Sequence, residues 1–246
     1  MIQLPRLRVD RLVFPDVETA LEEPNGLLAF GGDLGSERLL AAYALGIFPW
    51  FSEGQPPLWW SPDPRLVIDT AHPHVPHRLR RWLKNCPWTI RADRAFPAVI
   101  RACAQPRHDD AGTWITDDMF EAYCRLHEQG HAHSIEVWDG DELVGGIYGI
   151  AIGRMFFGES MFSRRDHASK VALLALCQGL AASGFPLLDA QVSSSHLLTL
   201  GAHEMPRQAF CRQVADLVNL PGPGGDWHRL FARIEPRALG ATASPP

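Results

Sequence analysis

The stretch that decides the fold is His133 to Ser163, HSIEVWDGDELVGGIYGIAIGRMFFGESMFS, followed closely by Ala168 to Val192, ASKVALLALCQGLAASGFPLLDAQV. Its first part has the period and turn chemistry of an antiparallel meander. Ser134 to Trp138 reads as a strand, Asp139 to Asp141 as a turn and Glu142 to Ile152 as a long apolar strand. Gly153-Arg154 then makes a tight turn before a third strand, Met155 to Phe162. The second part changes period. His167 to Ser183 is predicted as a helix with Gly184 as its C-terminal glycine, and Phe185 to Val192 as a buried strand interrupted by Asp189 and Gln191. Strand, helix, strand is a crossover, so part of the sheet is expected to be parallel. The fold class is therefore α+β, a mixed sheet with flanking helices.

Working outward, Asp117 to Gln129 is an amphipathic helix with Met119, Ala122, Tyr123 and Leu126 on one face and Gly130 as its stop. An Arg-rich helix is predicted over Pro76 to Cys86, and others over Phe96 to Ala104, His196 to Leu200 and Pro206 to Leu220. Near the N-terminus Ser36 to Leu45 is a helix with Ser36 as N-cap and Gly46 beyond its end. From Pro49 to Pro64 the prolines predict an ordered but irregular segment, whose aromatic residues must pack or bind. The division expected is a small N-terminal domain over 1–66, a catalytic domain over 67–235 and a disordered tail over 236–246.

The composition, 46% hydrophobic and 21% charged in 246 residues, is that of a chain with a proper core. No apolar run is long enough to cross a membrane, no signal peptide is evident, and five dispersed cysteines without a C-x-x-C pair point to a reducing, cytoplasmic setting. The net charge of −5 hides an asymmetry. Between His72 and Arg107 stand eight Arg or Lys against Asp93 alone, a local +7, so the remainder carries −12. Arg78, Arg80, Arg81 and Lys84 in that window offer contacts to nucleic-acid phosphates, and Trp50, Trp59 and Trp60 offer faces for unpaired bases.

His127-Glu128-Gln129-Gly130-His131 spells H-E-x-x-H, the helical signature of a zinc peptidase. If Gly130 ends the helix, His131 leaves the helical face and the ligand pair is lost, so no metal is expected. A phosphate loop, a Rossmann glycine pattern and a G-x-S-x-G elbow are all missing, which excludes the common nucleotide-dependent and serine-hydrolase chemistries. Asp189 and Gln191, two apart in an apolar strand, leave the same face, and Glu159 lies in another strand of that sheet. Carboxylates in such positions are costly unless paired or used. Asp189 can equally anchor backbone N–H groups.

The runs PNGLLAFGGDL (24–34), ERLLAAYALGIFPWF (37–51), LWWSPDPR (58–65), GTWIT (112–116), HSIEVW (133–138), LVGGIYGIAIG (143–153), FGESMFS (157–163) and ASKVAL (168–173) together resemble the bacterial leucyl/phenylalanyl-tRNA-protein transferases. The resemblance covers about residues 11 to 215 and continues through Phe185 to Gln191 and His196 to Phe210, with Ala190 where the family often has Cys. It implies transfer of Leu, or less often Phe or Met, from aminoacyl-tRNA to the N-terminal Arg or Lys of a protein, which marks that protein for degradation. The implied fold is an acyl-CoA N-acyltransferase-like (GNAT-like) domain behind a small N-terminal one. The coenzyme A phosphate loop of that superfamily, [QR]-x-x-G-x-[GA], does not occur, so the donor is expected to be carried by RNA, with no cofactor.

The resemblance also implies site residues. Ile147, Phe156, Leu176, Leu180 and Leu188 map onto the donor side-chain pocket, Tyr43, Trp50 and Trp114 onto the surroundings of the terminal adenosine, and the Arg78 to Lys84 helix onto tRNA backbone contacts. Ordinary core packing is the competing explanation for the pocket residues. Aminolysis of an activated ester needs a neutral amine and positioning rather than energy input. An N-terminal amine titrates at about 7.7 to 8.0, so modest base assistance suffices. Gln191 is expected to align the amine through its carbonyl oxygen, Asp189 to orient Gln191, and Asp189 or Glu159 to receive the proton. Glu159 can instead read the cationic side chain of the acceptor. The rival readings are the zinc peptidase and a non-catalytic tRNA-binding module.

Overall fold

The computed structural model describes residues 4–105, 115–222 and 226–241. Two sheets are formed. The smaller takes β1 (Arg6–Leu7), β2 (Leu27–Gly31), β3 (Phe48–Pro49) and β4 (Leu58–Trp60) in the order β1-β2-β4-β3, with α1 (Ser36–Ala44) between β2 and β3. Pro49 stands in the edge strand, where its missing N–H breaks no ladder. Two strands thus come from the region expected to be irregular. Ser36 is the first helical residue of α1 and not its cap: Gly35 holds the N-cap position, and Asp33 Oδ1 accepts from the Gly35 N–H at 2.8 Å.

The larger sheet has seven strands in the order β11-β5-β10-β9-β8-β7-β6. Its strands are β5 (Arg65–Asp69), β6 (Thr89–Ala92), β7 (Ala132–Asp139), β8 (Glu142–Ile152), β9 (Met155–Ser163), β10 (Leu187–Gln191) and β11 (His203–Met205). β7, β8 and β9 form the expected meander, and α5 (Ala168–Ala182) crosses over so that β10 lies parallel to β9. β5, β6 and β11, all short, were not anticipated from sequence. The other helices are α2 (His77–Leu83), α3 (Phe96–Cys103), α4 (Asp117–Glu128), α6 (Ser195–Leu198), α7 (Arg207–Val218) and α8 (Trp227–Phe231).

Both faces of the sheet are covered, which is why its strands read as nearly continuous apolar runs. Leu66 and Ile68 of β5, Phe156 of β9 and Leu188 of β10 point into a core shared with α2, α5 and α8. Their strand neighbours Val67, Phe157 and Leu187 point the other way, into a core shared with α1, α3, α4 and the small sheet. The N-terminal sheet therefore has no separate core, and β5 straddles the boundary expected at residue 66.

Residues 236–241, expected to be a disordered tail, form a 3-10 turn, and Leu239 is buried in the α2/α5 core. One apolar side chain in an otherwise small and polar run is enough to fasten it there.

Candidate active site

Two β-bulges make the site. β8 and β9 pair Tyr148 with Ser160 and then Gly149 with Gly158, so Glu159 has no partner across the ladder. β10 and β5 pair Asp189 with Val67 and then Gln191 with Leu66, which leaves Ala190 over. A bulge bends its strand and re-aims the side chains beside it. The parallel pairing of β10 with β9 runs from Leu187 to Asp189 and goes no further, so the two strands part just where Glu159 and Gln191 stand.

A cavity of about 360 Å³ opens at that parting, lined on one side by Glu159, Ser160 and Met161 and on the other by Ala190, Gln191 and Val192. Phe48, Pro49 and Trp50 wall it from the N-terminal sheet, and His196 and Leu197 from α6. A smaller apolar crevice of about 70 Å³ shares the Glu159–Met161 edge and runs inward between Ile147, Leu173 and Leu188.

Glu159 is partly buried and held on three sides. The Tyr43 hydroxyl donates to its Oε1 at 2.7 Å, the Tyr123 hydroxyl donates to Oε2 at 2.9 Å, and Gln191 Nε2 donates to Oε1 at 2.7 Å. The two tyrosine hydroxyls also contact one another. Burial pushes the Glu159 carboxyl up to about 7; the three hydrogen bonds oppose the rise and the nearby Asp189 charge adds to it. Because Nε2 of Gln191 faces a carboxylate, the oxygen of the same amide is left for another donor.

Asp189 takes the anchoring part that its place in an apolar strand allowed. It is fully buried, and Arg65 holds it in a bidentate ion pair, Nε to Oδ1 at 2.8 Å and Nη2 to Oδ2 at 2.6 Å. Arg65 in turn lies between the rings of Phe48 and Phe210 and donates to the Gly46 carbonyl at 3.0 Å. Both carboxylate oxygens are thus engaged by the guanidinium. Asp189 orients Gln191 through the backbone: Oδ1 accepts from the Gln191 N–H at 2.8 Å and holds that residue at φ 64°, left-handed backbone rare for a side-chain-bearing residue.

Of the pocket positions, Ile147 and Leu188 line the crevice, whereas Phe156, Leu176 and Leu180 are core residues packed between the sheet and α5. Leu173 and Met161 line it in their stead. Trp50 stands 41% exposed at the cavity mouth with its ring against Trp60, a face available for stacking. Tyr43 offers no such face, being fully buried with its hydroxyl turned to Glu159. Trp114 lies outside the described residues. Arg78, Arg80, Arg81 and Lys84 are exposed on and just beyond α2, while Leu79 and Leu83 anchor the helix in the core. The residues before α2 are fastened to the loop after α6 by the His74 N–H to the Leu200 carbonyl at 2.9 Å, which joins the basic helix to the cavity wall.

The H-E-x-x-H pattern is taken apart by the fold. α4 ends at Glu128, Gly130 takes φ 78°, and His131 leaves the helix. His127 stacks on Phe96 with Nδ1 at the Ala132 carbonyl, and the nearby His133 pairs with Asp93 and stacks on Trp227. Among the described residues no group of three His, Cys, Asp or Glu side chains could hold a metal ion, and no helix is long and apolar enough to cross a membrane.

Arg65 and Tyr123 were missed as site residues. Tyr123 was placed on the buried face of its helix, but period does not say where a hydroxyl goes. Arg65 carried a signal, an arginine opening the apolar run Leu66 to Ile68.

A family profile described as leucyl/phenylalanyl-tRNA protein transferase matches residues 67–215, and the profile of that enzyme's N-terminal domain matches residues 32–63. A leucyl/phenylalanyl-tRNA–protein transferase of Xanthomonas campestris pv. campestris (strain B100) is 60% identical over 219 residues, 89% of this chain and 88% of its own. One from Xylella fastidiosa (strain M23) is 58% identical over 227 residues, 92% of this chain and 93% of its own. Among solved structures, L-PGS from Bacillus licheniformis aligns over 68% of this chain and 53% of its own at 11% identity and a TM-score of 0.38, too remote to bear on the fold. Matched at this identity along nearly its whole length, the chain belongs to the leucyl/phenylalanyl-tRNA–protein transferase family and is an aminoacyltransferase.

Proposed function

We propose that this aminoacyltransferase moves leucine, and also phenylalanine or methionine, from the end of its tRNA to the α-amino group of a protein beginning with Arg or Lys, a product marked for N-degron degradation. The observation that carries the reading is the meeting, at one parting of strands, of an apolar crevice with a carboxylate and an amide oxygen. The crevice suits an apolar side chain, aliphatic or aromatic, and discriminates weakly, since a methylene in such a pocket is worth about 1 to 3 kcal/mol. The carboxylate suits a cationic acceptor.

In this reading Trp50 stacks on the terminal adenosine and Arg78, Arg80, Arg81 and Lys84 follow the tRNA backbone. The Gln191 oxygen aligns the amine, and Glu159, the one carboxylate of the cavity wall not locked in an ion pair, takes its proton. No cofactor or metal enters the step. The meander, crossover helix and parting parallel pair support a GNAT-like reading of the large sheet, and five cysteines in no disulfide fit a reducing cytoplasm.

The test is incubation of the EDTA-treated protein with labelled leucyl-tRNA and a peptide beginning with Arg, beside one beginning with Ala. Acid-stable label on the Arg peptide alone is expected. Label on both peptides would overturn the acceptor assignment, and an intact leucyl ester with neither labelled would overturn transfer.

A further inference from the structure

The contacts among Glu159, Tyr43 and Tyr123 close a triangle, Tyr43 to Oε1, Tyr123 to Oε2 and hydroxyl to hydroxyl. We propose that Tyr43 and Tyr123 are positioning residues that hold the transferred proton on Glu159 by completing a ring of three hydrogen bonds, so that Glu159 accepts it without letting go of Gln191. The proposal rests on the reading of Glu159 as proton acceptor.

Burial and the neighbouring carboxylate raise both phenols well above their ordinary range, so each keeps its single proton at neutral pH. With Glu159 ionised, two hydrogens serve three contacts, and one oxygen pair faces another with nothing between. With Glu159 protonated on Oε2 there are three for three: Oε2–H to Tyr123, Tyr123 to Tyr43, Tyr43 to Oε1. Oε1 stays an acceptor throughout, so the Gln191 amide keeps its bond and its orientation toward the amine. Closed rings of this kind strengthen each member in a dry site.

Other groups facing Glu159 do not supply the missing hydrogen. Tyr148 of β8 is buried, its hydroxyl has no hydrogen-bond partner among the described residues, and its ring packs on Tyr123. Asp189 of β10 is neutralised by Arg65 of β5, and His196 of α6 lies across the cavity. The step balances without a co-reactant. The amine lone pair forms the N–C bond, the ester C–O bond breaks with its electrons on the ribose oxygen, and the proton shed by nitrogen rests on Glu159 before passing to that oxygen.

The test is a titration of the whole protein carrying ¹³C-carboxyl glutamate, with Glu159 assigned by its loss in Glu159→Gln, repeated in Tyr123→Phe and Tyr43→Phe. Each substitution removes one hydroxyl and keeps the ring packing. As donors to the ionised carboxylate the two hydroxyls oppose its rise, but each substitution removes two bonds from the protonated ring against one from the ionised form, so the Glu159 midpoint is expected to fall by about 0.5 to 1 unit in both variants, the net loss of about one neutral hydrogen bond. The acid limb of the transfer rate should move with it. A midpoint that rises in either variant, as it would if the hydroxyls were independent donors to the carboxylate, overturns the proposal, and so does one that stays. The titration needs no substrate, so its result stands apart from failure of transfer itself.

Discussion

Arg65 and Asp189 meet through both arms of the guanidinium, at 2.8 and 2.6 Å, with both side chains fully buried. The pair joins the first strand of the large sheet that the chain lays down to the last residue before the β10 bulge. It also fixes Gln191, because the carboxylate oxygen that takes Arg65 Nε takes the Gln191 N–H as well. Removing one partner leaves a buried charge unmatched, at a cost of about 3 to 5 kcal/mol, whereas removing both with apolar replacements costs much less. Asp189→Ala is therefore expected to lower the urea midpoint sharply, and Arg65→Met with Asp189→Leu to recover most of it. The double variant should stay impaired in transfer, since nothing then holds Gln191 in its left-handed conformation. Full activity in a stable double variant would show that the anchor is not needed.

Glu159 predicts how stability varies with pH. Its carboxyl sits at about 7 in the folded protein against an ordinary 4.5, so between those values the folded state keeps a proton that the unfolded chain has lost. The contribution is complete below the ordinary value and fades as pH rises through 7, by at most about 3 kcal/mol. Glu159→Gln carries no such charge and should lose less stability between pH 5 and pH 8 than the wild type. Parallel chemical-denaturation curves for the two proteins across that range would refute the assignment.

Gly149 faces the β9 bulge at its tightest point. A methyl group there would come to 2.2 Å from the Phe157 carbonyl oxygen and 2.6 Å from the Phe156 ring. Gly149→Ala must push β9 aside, at about 1 to 3 kcal/mol or more, and Glu159 moves with the strand. A lower melting temperature together with a lower transfer rate is expected. An unchanged rate at full stability would show that the bulge geometry is not critical.

Arg80 and Arg81 test the nucleic-acid surface. Changing both to Ala is expected to weaken tRNA binding whatever its sequence and to reduce the slope of log affinity against log salt by about 1.4 to 1.8 if each contacts a phosphate. A slope equal to that of the wild type would remove α2 from the interface.

The sequence revealed most where one physical signal dominated. The apolar, turn-punctuated run from Ser134 to Phe162, the apolar helix after it and the glycines at Gly130, Gly153 and Gly184 determined meander, turn and crossover almost to the residue. Short strands such as β6 and β11 gave too few residues for a period to show, and β3 and β4 were masked by the prolines around them. In the site, Glu159 and Gln191 stood out because polar side chains in apolar strands demand a reason. That Asp189 is an anchor depends on Arg65, distant in the chain, and no local pattern records such a pairing. Leu176 and Leu180 share a helical face that meets the core and not the crevice, a choice set by how α5 is rotated on the sheet.

The bulges at Glu159 and Ala190 make the active site a matter of counting. Ladders in which every rung had its partner would carry β9 along β8 and β10 along β5 without a bend. Each strand instead carries one rung too many, and the surplus holds the sheet open. Substitutions around the site can be absorbed by neighbouring side chains. Deleting the surplus residue from either strand is a different injury: it restores regular pairing and removes the bend that aims Glu159 or Gln191 at the opening where two substrates must meet.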